Sequence, residues 1–275
     1  MESRRVTKDT LAQPPPGPAP RRDPTQRFSS RVDNYARYRP SYPGAALELL
    51  QAQCGLSPAA VVADVGSGTG ILTSLLLATG ARVYAVEPNG PMRAAAEAAL
   101  GPNPRFHSVN ASAEATTLAA ASIDVYVAGQ AFHWFDVARA RAEALRIVRA
   151  GAAGALLWNE RPRLGSPFHD DYDALLRRHA PEYDAVAASR ADEAHMRAFF
   201  GGRMQLATFA NEQRFDYDGL LGRLMSSSYA PERGHPQHEP LLAGLRALFL
   251  KHARGGTVTF PYVTLVYYAP LVAHA

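Results

Sequence analysis

The feature that most constrains this chain is a short apolar run that ends in a string of glycines. Ala60–Asp64 (AVVAD) is rich in β-branched valine, and the turn Asp64-Val65-Gly66-Ser67-Gly68-Thr69-Gly70 grows out of its end. Glycines at alternate positions let the backbone bend sharply and let a ligand approach main-chain atoms closely. Ile71–Thr79 then reads as a helix closed by Gly80, a common residue just past a helix end. Strand, glycine turn and helix in that order open a wound α/β sheet.

The alternation continues. Strands are predicted at 82–86 (RVYAV), 106–109, 123–129 (IDVYVAG) and 154–158 (GALLW), with helices at 91–100 and 137–149 between them. With right-handed crossovers this spacing gives a parallel sheet covered on both faces. Beyond residue 160 the pattern loosens. Helices are predicted near 167–180, 190–200, 217–227 and 237–253, with strands near 203–216 and 257–268. The expected fold is therefore α/β, a doubly wound seven-stranded, mostly parallel sheet with a helical cover inserted in the C-terminal part. Residues 28–160 are the expected core, 161–256 the cover with one returning strand, and 257–275 the final strand. Residues 1–25 hold six prolines and almost no bulky apolar side chains, so a disordered tail without the apolar run of a secretory leader is expected there.

Composition removes several classes. Net charge is only +4, about half of it in residues 1–25, with no block of like charge, so no nucleic-acid partner is expected. No apolar run reaches the roughly 18 residues of a membrane span. The single cysteine, Cys54, permits neither an internal disulfide framework nor a cysteine zinc site. His235 and His238 lie close in sequence but lack a third ligand, so no metal is expected. These traits suit a cytoplasmic protein that is a monomer or weak dimer.

Ligands of such sheets sit at the carboxyl ends of the strands. Three features there narrow the ligand. The third glycine comes one position earlier than in the dinucleotide fingerprint, and no Lys-Ser/Thr pair follows, which disfavours NAD, FAD and a phosphate-binding P-loop. Glu87, ending the second strand beside Pro88, can accept hydrogen bonds from ribose hydroxyls. Asp64 suits a ligand that carries an ammonium group rather than a pyrophosphate.

These residues resemble the class I S-adenosylmethionine-dependent methyltransferases. Asp64–Gly70 (DVGSGTG) is similar to that family's first motif and Glu87–Asn89 to its ribose-contacting segment. Ser112-Ala113-Glu114 resembles the turn at the adenine edge, with Ser112 where many relatives carry aspartate. Gln130–Phe135 (QAFHWF) resembles the fourth-strand motif of the type 11 subgroup. Tyr35–Pro43 (YARYRPSYP) is similar to the N-terminal segment of the trans-aconitate-methyltransferase-like branch.

The resemblance implies a Rossmann-like methyltransferase domain over 26–275 that uses S-adenosyl-L-methionine on a small molecule. The acceptor would be an oxygen of a carboxylate or hydroxyl. A nitrogen, carbon or sulfur acceptor, or a non-catalytic cofactor-binding protein, stays open at this point. Asp64, Gly66, Ser67, Gly68, Gly70, Glu87, Pro88, Ser112, Ala113 and Gln130 would hold the cofactor, with Glu114 able to replace Ser112. Tyr35, Arg39, Tyr42 and Trp134 would contact substrate, and Asn159 and Arg161 are further candidates. His133 would either accept a proton or simply wall the pocket.

Overall fold

β1 (Val61–Val65), with four of its five residues buried, lies inside the sheet. The structure, a computed structural model, describes residues 31–162, 166–188 and 193–272. The predicted tail over 1–25, and the first residues of the predicted core, lie outside the described residues. β2 (Arg82–Val86), β3 (Phe106–Val109), β4 (Ile123–Gly129) and β5 (Val148–Glu160) join β1 in parallel. β7 (Val258–Pro270) pairs antiparallel with β5, and β6 (Gln205–Phe215) with β7. The order is β3-β2-β1-β4-β5-β7-β6, the expected seven-stranded, mostly parallel sheet.

Helices cover both faces. α2 (Gly44–Cys54) and α3 (Ile71–Ala78) bury Leu50 and Leu76 against Val62, Val83 and Val127 on one side. α4 (Gly90–Leu100) follows β2 and buries Met92 and Ala96. α5 (Val137–Ile147) and α8 (Glu193–Phe200) bury Ile147 and Phe199 against Tyr126 and Leu156 on the other. α6 (Pro167–His179), α7 (Tyr183–Ala188), α9 (Tyr217–Met225) and α10 (His238–His252) make a separate apolar cluster around Phe260. β7 belongs to both: Phe260 and Tyr262 sit in the cover's cluster, Val266 and Tyr268 under the sheet.

Several boundaries depart from the sequence reading. α8 was assigned to the cover, yet Met196, Phe199 and Phe200 form an apolar helical face that seats it on the sheet beside α5. The helix predicted to end at 149 stops at Ile147, and the chain enters β5 at once. Its small, glycine-broken start (RAGAAG) carries no strand pattern, although Val148 pairs with Ile123. Two helices before β1, α1 (Val32–Tyr38) and α2, were not foreseen, because Pro40 and Pro43 punctuate that stretch as an irregular arm. Pro43 in fact serves as the N-cap residue of α2.

The long connection from β3 to β4 is pinned by one buried acid. Glu143 of α5 accepts from the Thr116 backbone N–H at 2.8 Å and its hydroxyl at 2.5 Å. Arg146 completes the set with bonds to Glu143 and to Leu118 O. Hydrogen bonds from Arg146, together with those from Thr116, outweigh desolvation and hold the Glu143 carboxyl down at about 2. A depressed folded-state pKa stabilises above the unfolded value near 4.5 and loses that contribution as pH falls toward 2. Glu143→Gln is therefore expected to lower unfolding free energy by about 1–3 kcal/mol at neutral pH. In urea titrations at several pH values, the gap from wild type should close progressively below pH 4.5.

Candidate cofactor and acceptor cleft

One cleft of about 360 Å³ opens at the carboxyl ends of β1, β2, β4 and β5. The glycine turn forms its floor. Gly66 and Gly68 adopt φ of 72° and 59°, in the left-handed region that glycine enters without penalty. A Cβ on Gly66 would lie 2.4 Å from the Ala131 Cβ, so the turn and the segment after β4 approach as closely as backbone allows. Gly70 is different: it does not line the cleft. Its φ of 85° starts α3, and a Cβ there would press within 2.7 Å of Leu100 in α4.

Four of the turn's amides are already in use. Gly66 N and Ser67 N both donate to Val86 O, at 2.8 and 3.2 Å, and Gly70 N donates to Ser67 O. Gly68 N donates to a Glu87 carboxylate oxygen at 2.8 Å, while the other oxygen accepts from Asn89 N, also at 2.8 Å. What Gly66 and Gly68 supply is chiefly space for close approach to the main chain. A phosphate-binding turn must present free N–H donors. This one presents carboxylates instead.

Asp64 is 1% exposed and lines the floor. Its Oδ2 accepts from the Thr73 hydroxyl at 2.6 Å, and its Oδ1 is buried with no partner. Burial pushes the carboxyl up to about 7, with Glu87 adding repulsion and Thr73 opposing both. The Ser67 and Thr69 hydroxyls beside it are likewise buried without partners. Thr73 is a site residue that sequence reasoning missed, although it stands one helical turn into α3 from the glycines. Burial also raises Glu87, against the two amides and Arg93. Each Glu87 oxygen keeps a second acceptor position for a ribose hydroxyl.

Pro88, Ser112, Ala113, Gln130, His133 and Trp134 all line the same cleft. Glu114 also lines it, but accepts from Asp136 N at 2.9 Å, which ties the adenine-edge turn to the start of α5. Gln130 takes an unusual positive φ of 57°, and its side-chain amide donates to Asn159 O. The Asn159 side chain is structural. It donates to Ser41 O at 3.1 Å and accepts from Thr264 and Asn211, joining the entry segment to β7 and β6.

The roof is assembled from both ends of the chain. Tyr35, Arg39 and Tyr42 meet Arg161, Tyr183, Arg223, Tyr229 and Tyr262 there. Buried Arg31 fastens α1 to the loop after α9 by donating to Met225 O, Ser227 O and Ala230 O. Tyr38 packs so closely on Gly222 of α9 that an added Cβ would fall 2.1 Å from its ring. Sequence reasoning found Tyr35, Arg39 and Tyr42 but missed Arg223, on α9, and Tyr229, in the loop after it, because neither belongs to a motif.

The fold is the Rossmann-like methyltransferase fold. A candidate type II methyltransferase from Anaeromyxobacter dehalogenans superposes with TM-score 0.62 at 26% identity, over 86% of this chain and 100% of that one. A methyltransferase-like protein from an antibiotic biosynthesis pathway of Anabaena variabilis shares the fold alone, with TM-score 0.60 at 20% identity over 84% of this chain and 98% of that one.

Residues 63–156 match the family model described as a methyltransferase domain. An uncharacterized methyltransferase of Mycobacterium tuberculosis is 41% identical over 148 residues, 53% of this chain and 57% of the relative. The alignment thus spans little more than half the length of that curated relative. Residues 63–156 are thus similar to a methyltransferase domain, and the cleft fits S-adenosylmethionine: an orphaned buried carboxylate oxygen for an ammonium and an acid for a ribose.

A cation bound beside Asp64 must draw its pKa down and expel the proton held there. S-adenosylhomocysteine, which keeps the ammonium, is expected to release close to one proton on binding below pH 7 and progressively less above it. Calorimetry in buffers of different ionisation enthalpy reads this directly. Asp64→Asn should abolish the release and weaken binding by about 10- to 100-fold, the loss of a charged hydrogen bond.

Proposed function

We propose that the protein transfers a methyl group from S-adenosylmethionine to an oxygen, carboxylate or hydroxyl, of a small molecule. The observation that carries this reading is the floor of the cleft, where Asp64 and Glu87 stand together and the Gly68 amide is taken by Glu87. Two carboxylates repel a pyrophosphate and attract a ligand with an ammonium and a positive sulfur.

When bound, the cofactor supplies an activated methyl group on that sulfur. An acceptor oxygen would take that methyl group, with S-adenosylhomocysteine as the other product. The chain's own work is positioning and exclusion of water. Asp64, Ser67 and Thr69 hold the methionine end, Glu87 the ribose, and Ser112 and Ala113 the adenine edge. His133, on the short turn after β4 beside Trp134 (ring centroids 4.7 Å apart), takes the proton of a hydroxyl acceptor. A roof of tyrosines and arginines favours a small acceptor over a macromolecule, because α1 and α9 close that side of the cleft.

Purified protein with labelled S-adenosylmethionine and a panel of carboxylic acids, phenols, thioethers and amines is expected to release S-adenosylhomocysteine with the oxygen acceptors. Glu87→Ala should raise the cofactor Kd by about 10-fold or more, since it removes a charged acceptor and frees Gly68 N and Asn89 N. His133→Ala should lower turnover at saturating substrate while leaving cofactor affinity unchanged. Wild-type turnover in that variant would remove His133 from the chemistry.

A further inference from the structure

We propose that Arg39 and Arg223 form a subsite for a carboxylate of the acceptor, a handle separate from the oxygen that receives the methyl group. This deepens the methyltransferase reading above and rests on it.

Arg223 is 7% exposed and lines the roof of the cleft. Its Nε donates to the Tyr262 hydroxyl at 2.9 Å, and its Nη1 reaches the Ser226 and Ser227 hydroxyls at 3.5 and 3.2 Å. Its Nη2 has no acceptor among the described residues. Arg39 approaches from the other end of the chain. Its Nη2 donates to Ser226 O at 2.9 Å, and its guanidinium lies 4.7 Å over the Tyr35 ring. Its Nε is buried with no acceptor.

Neither guanidinium has a carboxylate partner among the described residues. The contrast is Arg161, the third cation of the roof, which is paired with Asp173 at 2.7 Å. The titratable groups that face Arg39 and Arg223 are the tyrosine hydroxyls of Tyr35, Tyr172, Tyr229 and Tyr262, and each other; Tyr229 is the one drawn below its ordinary pKa, by the arginines against its burial. Burial and the neighbouring Arg223 both lower the Arg39 pKa, whereas the tyrosines around Arg223 outweigh its burial and raise its own. Buried charges without counter-ions are strongly penalised, and a fold that keeps two of them side by side in a ligand cleft is arranged for an anion.

The chemistry of that anion follows from its donors. Guanidinium forks match the two oxygens of a carboxylate. The surrounding rings favour a planar organic acid over a small inorganic ion. Hydrogen bonds from two guanidiniums draw electron density from the oxygens they hold and weaken them as nucleophiles. The bound carboxylate therefore orients the molecule, and a second oxygen faces the methyl group.

The chain's two tryptophans, Trp134 and Trp158, both line the cleft, so their fluorescence reports on both halves. With S-adenosylhomocysteine saturating, wild type is titrated with benzoate and with its uncharged isostere benzamide. Benzoate should bind at least about tenfold more tightly than benzamide, the worth of a charge-assisted contact. Arg39→Gln should erase that preference while leaving S-adenosylhomocysteine affinity within about threefold, a difference of well under 1 kcal/mol. Arg223→Gln should do the same, and Arg39→Lys should restore part of the preference. Arg223 has more protein contacts, so its melting temperature is recorded alongside, and Arg39→Gln carries the test if Arg223→Gln unfolds. Equal binding of benzoate and benzamide, no saturable benzoate binding in the millimolar range, or an unchanged preference in Arg39→Gln would overturn the subsite. Absence of S-adenosylhomocysteine binding to wild type would instead overturn the methyltransferase reading.

Discussion

The carboxylate of Glu87 carries much of the geometry of the ligand end. One oxygen takes the amide of Gly68 and the other the amide of Asn89, so a single side chain at the end of β2 fixes the turn after β1 and the start of α4. Asn89 in turn caps α4 by accepting from Met92 N. Without a side-chain acceptor at 87, the Gly68 N–H would be left to water or to a ligand. A turn with a free N–H would recognise anions, so this acid organises the loop and also decides the sign of what the loop can hold.

Electrostatics divides the cleft into two unlike ends. The floor holds Asp64 and Glu87, with Glu114 at its edge, and the roof holds Arg39, Arg161 and Arg223. Such a field orients a pair of ligands of opposite charge before any close contact is made. Low exposure at both ends strengthens it, because little water remains to screen the charges. The same burial holds Asp64 near neutrality in pKa, so a proton stands in for a cation there until one arrives.

The sheet was legible in the sequence because its strands are short, apolar and punctuated by glycine or acidic turns at the end that binds ligand. Asp64, Gly66, Gly68 and Glu87 could be read because each sits at a strand end where backbone geometry limits the choice of residue. Gly70 was read as a ligand contact, but it is required for packing against Leu100, and spacing alone cannot separate those two demands. The roof was only half legible. Arg223 and Tyr229 come close to Arg39 through tertiary packing of α9 on α1, more than 180 residues away along the chain. The misplacement of α8 has a similar cause: an apolar helical face does not say which of two clusters will bury it.

Arg31 and Arg39 fasten the entry segment to backbone carbonyls at and after the end of α9, and side chains of the sheet, Asn159 of β5 with Asn211 and Gln213 of β6, hold its Ser41 and Tyr38 carbonyls. The entry segment is thus held by β5, β6 and α9, whereas the glycine turn and Glu87 stand at the ends of β1 and β2. Exchanges along residues 31–42 or around α9 can reshape the upper chamber while β1, β2 and their turn keep their register. On the proposed reading, a chain built this way can diversify in what it modifies without relearning how to hold the donor of the group it transfers.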